Sequence, residues 1–320
     1  MEKIIELINR RENFILAGHT GPDGDAIGSC FALAFALEKL GKNVQVVLES
    51  FAQKYKIIPG NRFLFSGDLS AVRPDVFIAL DCADPERLGI SRPLFDCAET
   101  TVCIDHHETN PGFAMYNYIE PDASSTSEMV LRVIEKLTQP TDEIAAAVYA
   151  GLVSDTGGFR YNATAISTME TAARLMDMGI PFTQIYNELM HRHRFAAGKA
   201  AGIALGNSAR TRNKKIVYSF ITREMLKSVD ADLSDLDGVV EYLMGTRKAL
   251  AAIFVYEKSE TNAKVSLRSQ GPNMGRVAKE LGGGGHVLAA GATVTGTIQE
   301  VLERALALTT REVEAYEAGK

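Results

Sequence analysis

The sequence predicts an α/β protein: a doubly wound parallel sheet in the N-terminal part, followed by a smaller α+β domain. Three observations predict it. Short apolar runs at 14–17, 76–80 and 102–104 are continuous rather than alternating, and 44–48 is broken only by Gln45, as in strands covered on both faces. Helix-like stretches separate them, the alternation that builds a parallel sheet. After about residue 190 the texture changes to closely spaced strands. A chain of 320 residues is also long for one core.

The elements follow in order. Residues 2–11 read as an amphipathic helix, and the strand 14–17 follows it. Ile27 to Leu40 is apolar nearly all round and stops at Gly41, so it reads as a helix buried against a sheet. Strands at Val44–Leu48, Val76–Leu80 and Val102–Ile104 come next. Ser125-Thr126-Ser127-Glu128 has the capping-box pattern and opens a helix over 127–137. Thr141-Asp142-Glu143 opens another that leads to Asp155, and a third runs from Ser167 to Met178 before Gly179 and Pro181. The stretch 191–205 reads as a connecting helix between a domain over 1–190 and one over 206–320. In the latter, Lys215–Ile221 is a strand, and Ala249–Tyr256 with Lys264–Arg268 form a hairpin. Asn273–Leu281 is a helix, Val287–Val294 a strand, and Ile298–Tyr316 a closing helix.

Composition bounds the function. A net charge of -6 argues against a broad basic face for long nucleic acid. The basic clusters His191-Arg192-His193-Arg194 and Arg210-x-Arg212-x-Lys214-Lys215 read as solvated helix and turn faces. The four cysteines show no CxxC pairing and read as small buried hydrophobes in a reducing compartment. The start of the chain is not a signal peptide, and the longest apolar stretch, Cys30 to Leu37, is too short to cross a bilayer. A cytoplasmic protein without membrane partners is expected.

The chemistry sits where apolar runs end. Thr101-Val102-Cys103-Ile104 ends in Asp105-His106-His107. The run 14–17 ends in Gly18-His19-Thr20-Gly21-Pro22-Asp23-Gly24-Asp25, the run 76–80 in Asp81, and Ala145–Val153 in Ser154-Asp155. Ligands in open parallel sheets bind beyond the carboxyl ends of strands. Taken alone, the 19–25 segment reads first as a polar turn whose Asp caps the next helix. The recurrence of His and Asp at the other ends is a coincidence that structural turns do not need. Clustered carboxylates repel unless a cation sits among them, and mixed His and Asp donors suit divalent first-row metals, here in number enough for two ions. A P-loop, an HExxH zinc motif and a GxSxG elbow are all absent.

Two further features are ambiguous. Gly282-Gly283-Gly284-Gly285-His286 is either a helix C-cap with a flexible connector or a backbone nest for phosphate, and a strand at Val287-Leu288-Ala289-Ala290 directly after it favours the nest. Arg268 is either a bidentate phosphate ligand or a solvated strand-end cation.

In this order, His19-x-x-x-Asp23-x-Asp25, Asp81, Asp105-His106-His107 and Asp155-Thr156-Gly157 resemble the motifs of the DHH phosphoesterase superfamily. The stretch Gly282 to His286 with Ala289-Ala290-Gly291 resembles the signature of the DHH-associated C-terminal domain. The resemblance implies two Mn2+ ions per chain, with Mg2+ or another divalent ion as alternatives. His19, Asp23 and Asp81 would hold one ion. Asp25, Asp81, His106 and Asp155 would hold the other, with a hydroxide between the ions as nucleophile. His107 would face the scissile phosphate and Asp105 would orient a neighbouring imidazole, although spacing alone does not say which of His106 and His107 binds metal. Arg268, Gly283, Gly284, Gly285 and His286 would bind the far phosphate, in a cleft between the two domains. Size and domain order resemble the nano-RNase and pAp-phosphatase branch, implying cleavage of short oligoribonucleotides and dephosphorylation of 3′-phosphoadenosine 5′-phosphate. A phosphodiesterase for cyclic di-AMP or pApA is the alternative. The family suggests a homodimer. A silent nucleotide sensor on the same fold would be expected to lack ligands, and none is missing here.

Overall fold

The protein is described by a computed structural model over residues 1–319, in two compact units, one from Met1 to Arg192 and one from His193 onward. The first unit carries β1 (Asn13–Ala17), β2 (Asn43–Val47), β3 (Val76–Leu80), β4 (Thr100–Asp105) and β5 (Tyr116–Ile119). Its helices are α1 (Glu2–Arg10), α2 (Gly24–Lys39), α3 (Arg92–Cys97), α4 (Thr126–Leu137), α5 (Asp142–Asp155), α6 (Ile166–Asp177) and α7 (Phe182–Met190). All strand pairings are parallel, in the order β2-β1-β3-β4-β5.

The continuous apolar runs have the expected cause. In β3 every residue is buried; Val76, Ile78 and Leu80 join the large core with α2, α4 and α5, while Phe77 and Ala79 join a smaller one with Leu88 and Leu94. Each large side chain so buried contributes roughly 1.5–3 kcal/mol. The edge strand β5, Tyr-Asn-Tyr-Ile, was not expected from the sequence; it is half-exposed and lacks the apolar run of the central strands.

Helices α2 and α5 lie unusually close. A Cβ at Gly28 would sit 2.5 Å from the Ala147 carbonyl oxygen, one at Gly24 2.6 Å from Ser154 Cβ, and one at Gly151 2.7 Å from Asp25 Oδ1. Glycine is required at these positions by contact, not by turn conformation. The result is that the first turn of α2 and the last turn of α5 meet beside the carboxyl ends of β1, β3 and β4.

The second unit carries α8 (Phe195–Gly206), β6 (Ala209–Arg210), β7 (Ile216–Ile221), α9 (Arg223–Lys227), α10 (Val239–Met244), β8 (Ala251–Glu257) and β9 (Asn262–Ser269). It continues with α11 (Met274–Glu280), β10 (Gly284–Gly285), β11 (Ala289–Thr295) and α12 (Ile298–Ala318). Its mixed sheet has the order β10-β11-β9-β8-β7-β6. The expected hairpin is present as the antiparallel pair β8–β9. Helix α8, read from sequence as a connector, packs Ala200 and Ala204 into a core with Val217 and Ile221 of β7.

One expectation is corrected. Val287 and Leu288 are not strand residues but lie exposed in the turn between β10 and β11. That turn is held by backbone bonds: the amides of Met274 and Ser269 donate to the Val287 and Leu288 carbonyls at 2.7 and 2.9 Å. The glycine run is accordingly no flexible connector. Gly284 and Gly285 pair with Gly291 and Ala290, and a Cβ at Gly283 would lie 2.2 Å from the Gly291 carbonyl oxygen.

Candidate metal centre

Three strand ends and two helix ends deliver the site. His19 follows β1, Asp81 follows β3, and Asp105 ends β4 with His106 and His107 directly after it. Asp23 is the N-cap of α2, its Oδ1 accepting from the Asp25 and Ala26 amides at 3.0 and 3.1 Å. The capping role and the place in the cluster therefore belong to the same side chain. Asp25 lies in the first turn of α2 and Asp155 is the last residue of α5. A carboxylate at a helix C-terminus meets the negative end of the helix dipole, which is unfavourable unless a cation compensates it.

Asp81 is central. Its Oδ2 lies 3.6 Å from His19 Nε2, while its Oδ1 lies 3.6 Å from His106 Nε2 and accepts from the Thr126 hydroxyl at 3.1 Å. Its backbone adopts φ 55°, in the left-handed region that a non-glycine residue occupies at a cost. His19 Nε2 also faces Asp23 Oδ1 at 3.8 Å, and His106 Nε2 faces Asp155 Oδ2 at 3.2 Å. Donor atoms of His19, Asp23 and Asp81 all lie within 4.8 Å of one another, as do those of Asp25, His106 and Asp155, and those of Asp81, His106 and His107.

The two adjacent histidines differ in their anchoring. His106 Nδ1 lies 3.1 Å from the Ala123 carbonyl oxygen, which fixes the tautomer leaving the Nε2 lone pair toward the cluster. His107 Nδ1 is instead taken by Asp105 Oδ1 at 2.7 Å, and Asn110 donates to Asp105 Oδ2 at 2.6 Å. Hydrogen bonding to Asp105 raises the His107 pKa against its burial. The Asp105 carboxyl, although buried, is held below the usual range by His107.

The electrostatics call for positive charge. Burial, then repulsion from Asp81 and Asp155, push Asp25 well above the ordinary carboxylate range, even though its oxygens accept the Thr126 and Ser127 amides. Burial pushes Asp155 up to about 7, His106 opposing and Asp81 reinforcing the shift. Burial would lower the pKa of His19, but the Asp23 and Asp81 carboxylates outweigh it and raise it to about 10. Among the described residues no lysine or arginine pairs with Asp25, Asp81 or Asp155. Carboxylates and imidazoles gathered this tightly, with no thiolate, fit hard or borderline divalent cations.

The remaining candidates lie in the second unit. Arg268 pairs in register with Ala289, and the His286 amide donates to the Ala289 carbonyl at 2.8 Å, so Arg268 and His286 flank one residue of β11. The Arg268 guanidinium is held by Glu241 at 2.7 Å. From the basic clusters, Arg192 pairs with Glu188, Lys215 with Glu317, and Arg194 with the exposed Asp232 and the buried Asp235. Sequence reasoning missed Asn110, Ala123 and Thr126, which hold the site residues in place. Only the capping box around Thr126 was visible, and it was read as a helix start.

A model described as DHH family, N-terminal domain, matches residues 13–152, and one described as DHHA1 domain matches residues 213–315. The bifunctional oligoribonuclease and PAP phosphatase NrnA of Thermus thermophilus is 32% identical over 312 residues, covering 96% of this chain and 92% of that protein. The chain belongs to the DHH family. Another relative, the Bacillus subtilis protein of the same description, is 26% identical and covers 91% of this chain and 92% of its own length. Among solved structures, an exopolyphosphatase-related protein from Bacteroides fragilis superposes with a TM-score of 0.90 at 26% identity, over 99% of this chain and 96% of that one. Thermus thermophilus RecJ, solved with Mn2+, shares the fold at a TM-score of 0.57 and 13% identity, over 98% of this chain and 54% of its own. In this DHH-family chain, among the described residues, no helix is long and apolar enough to cross a membrane.

Proposed function

We propose that the chain is a metal-dependent phosphohydrolase that cleaves short oligoribonucleotides to mononucleotides and dephosphorylates 3′-phosphoadenosine 5′-phosphate. The observation that carries this reading is Asp81, whose two oxygens face separate donor groups, His19 with Asp23 on one side and His106 with Asp155 on the other. The NrnA relatives, matched over nearly their whole length, support the substrate class.

His19, Asp23 and Asp81 would hold one Mn2+, and Asp25, Asp81, His106 and Asp155 the other. When bound, such ions supply Lewis-acid stabilisation of the phosphoryl group and make water nucleophilic at neutral pH. The chain's own residues orient and balance charge. Thr126 fixes the rotation of the Asp81 carboxylate, and the Ala123 carbonyl fixes His106. Asp105 accepts a hydrogen bond from Nδ1–H of His107 and raises its pKa, which favours the protonated ring and leaves Nε2 to face a phosphate oxygen or a leaving oxygen. Arg268 and His286 would take the far phosphate. Around β10 the geometry suits an anion, because an edge strand leaves one row of peptide groups unpaired and Gly284 leaves open space beside them.

The test is a product assay with Mn2+. A 5′-phosphorylated RNA dinucleotide, 3′-phosphoadenosine 5′-phosphate, a long single strand and cyclic di-AMP are offered in parallel to the wild type and to His106→Ala and Asp155→Ala. Turnover of the first two, lost in both variants, is the expected result. Retained turnover in both variants contradicts the assignment of the centre, and preference for the cyclic dinucleotide moves the protein to second-messenger breakdown.

A further inference from the structure

Arg87 was singled out by no motif, yet its side chain reaches the rim of the metal cluster. Asp84, Pro85 and Glu86 lead into it as a short 3-10 turn capped by Asp84, whose Oδ1 accepts the Arg87 amide at 3.0 Å. The Arg87 carbonyl in turn accepts the Thr20 amide at 2.7 Å, tying this turn to the segment that carries His19. With the backbone fixed on both sides, Nη2 of Arg87 comes to 3.1 Å from His19 Nδ1.

That contact cannot be a satisfied hydrogen bond when His19 serves as a ligand. His19 turns Nε2 toward Asp23 and Asp81, so Nε2 supplies the lone pair and Nδ1 carries the proton. The Nδ1 proton already has an acceptor, the Thr20 carbonyl oxygen at 2.9 Å. Arg87 therefore points a donor at a donor. Among the described residues no carboxylate lies within salt-bridge distance of it, although the cation is only partly exposed. Arg11, Lys42, Arg62, Arg92, Arg132 and Arg174 of the first unit have acidic partners, and Lys39 and Arg73 donate to backbone carbonyls instead. A half-buried guanidinium with fixed backbone and no anion of its own, beside a cation site, is an arrangement completed by an anion supplied from outside.

We propose that Arg87 is a substrate-binding residue: its guanidinium takes phosphate oxygens of the nucleotide on the His19 side of the metal centre. This rests on the phosphohydrolase reading and adds to it a phosphate contact contributed by the first unit. Guanidinium matches phosphate through paired N–H donors, a geometry that lysine does not reproduce.

The test measures adenosine 5′-monophosphate binding to the full-length Mn2+-loaded protein by calorimetry, with Mn2+ titrated separately into the metal-free protein. Arg87→Met is expected to weaken nucleotide binding by about 10–100-fold and Arg87→Lys by less, the range of charge-assisted phosphate contacts. Mn2+ binding is expected to be no weaker than in the wild type. Arg87→Gln makes the same comparison if the methionine variant does not fold. Unchanged nucleotide affinity overturns the assignment of Arg87 alone. A parallel loss of Mn2+ affinity also overturns it, because Arg87 would then be scaffold for His19. A wild-type protein that binds Mn2+ but no nucleotide overturns both this proposal and the phosphohydrolase reading.

Discussion

Asp25 and Thr126 are 101 positions apart in the chain, and the carboxylate of the first accepts the amide of the second at 2.6 Å. The other Asp25 oxygen accepts the Ser127 amide at 2.9 Å. The N-terminus of α4, with its unpaired amides, is thus used to hold an acid carried by α2. The clamp offsets part of the cost of burying Asp25 and fixes where its remaining lone pairs point.

The cluster is expected to trade stability for metal binding. Asp155 titrates at about 7 rather than at its ordinary value of 3.8, so its ionisation costs the metal-free fold stability as pH rises from 4 to 7, and in full above 7. Asp155→Asn removes that cost. At pH 8 the metal-free variant should be more stable than the wild type by on the order of 1–3 kcal/mol, while Mn2+ should raise its melting temperature far less. Thermal melts with and without Mn2+ check this; a metal-free variant that melts below the wild type contradicts it.

Metal uptake should release protons. His19, raised from 6.5 to about 10, contributes stability that is fully present below pH 6.5 and is lost as pH rises through 10. Mn2+ must displace that proton. Between pH 7 and 10 His19 accounts for about one proton released per chain, and below pH 7 Asp155 adds a second. Calorimetry in buffers of different ionisation enthalpy measures the number, and heats independent of buffer at pH 8 would be the opposing result.

A single methyl group should disturb the centre from behind. In Gly151→Ala the new Cβ would lie 2.0 Å from Ser127 Oγ and 2.7 Å from Asp25 Oδ1. Relief requires α5 to move away from α2 and α4. We expect a stability loss of about 1–3 kcal/mol together with weaker Mn2+ binding. Denaturant unfolding and a Mn2+ titration report the two effects, and a destabilised variant with unchanged metal affinity would separate packing from ligand placement.

Asn110 should matter through Asp105. Asn110→Ala removes the 2.6 Å hydrogen bond that orients the partner of His107. Loss of such a supporting contact costs about 10–100-fold in activity. The fall is expected in kcat for dinucleotide hydrolysis, with KM and Mn2+ affinity little changed. A loss confined to KM would place Asn110 in substrate binding instead.

Much of this was legible in the sequence. Central strands covered on both faces read as unbroken apolar runs, and an ionisable residue ending such a run has few structural reasons to be there; His19, Asp81 and Asp105 were found that way. The difference between His106 and His107 was not legible, because their Nδ1 atoms meet the Ala123 carbonyl and Asp105, which reach them through the fold. Thr126 and Asn110 resemble ordinary capping and turn residues until their partners are known. Val287 and Leu288 misled because apolarity was taken for strand, whereas they are exposed turn residues anchored through their carbonyls. The half-exposed β5 carried too little apolar signal to be seen.

Every candidate metal ligand lies between His19 and Asp155, inside the first unit, whose core is its own. Arg268 and the glycine run lie inside the second. The candidate metal donors and the proposed anion site around β10 thereby lie on separate stretches of chain, with Arg87 a proposed substrate contact beside the metals. On that reading, selection can redraw the sheet edge at β10, lengthen its turn or exchange Arg268 without moving a single metal donor, so descendants of one ancestor would keep the same reaction while changing the far end of the molecule on which it is performed.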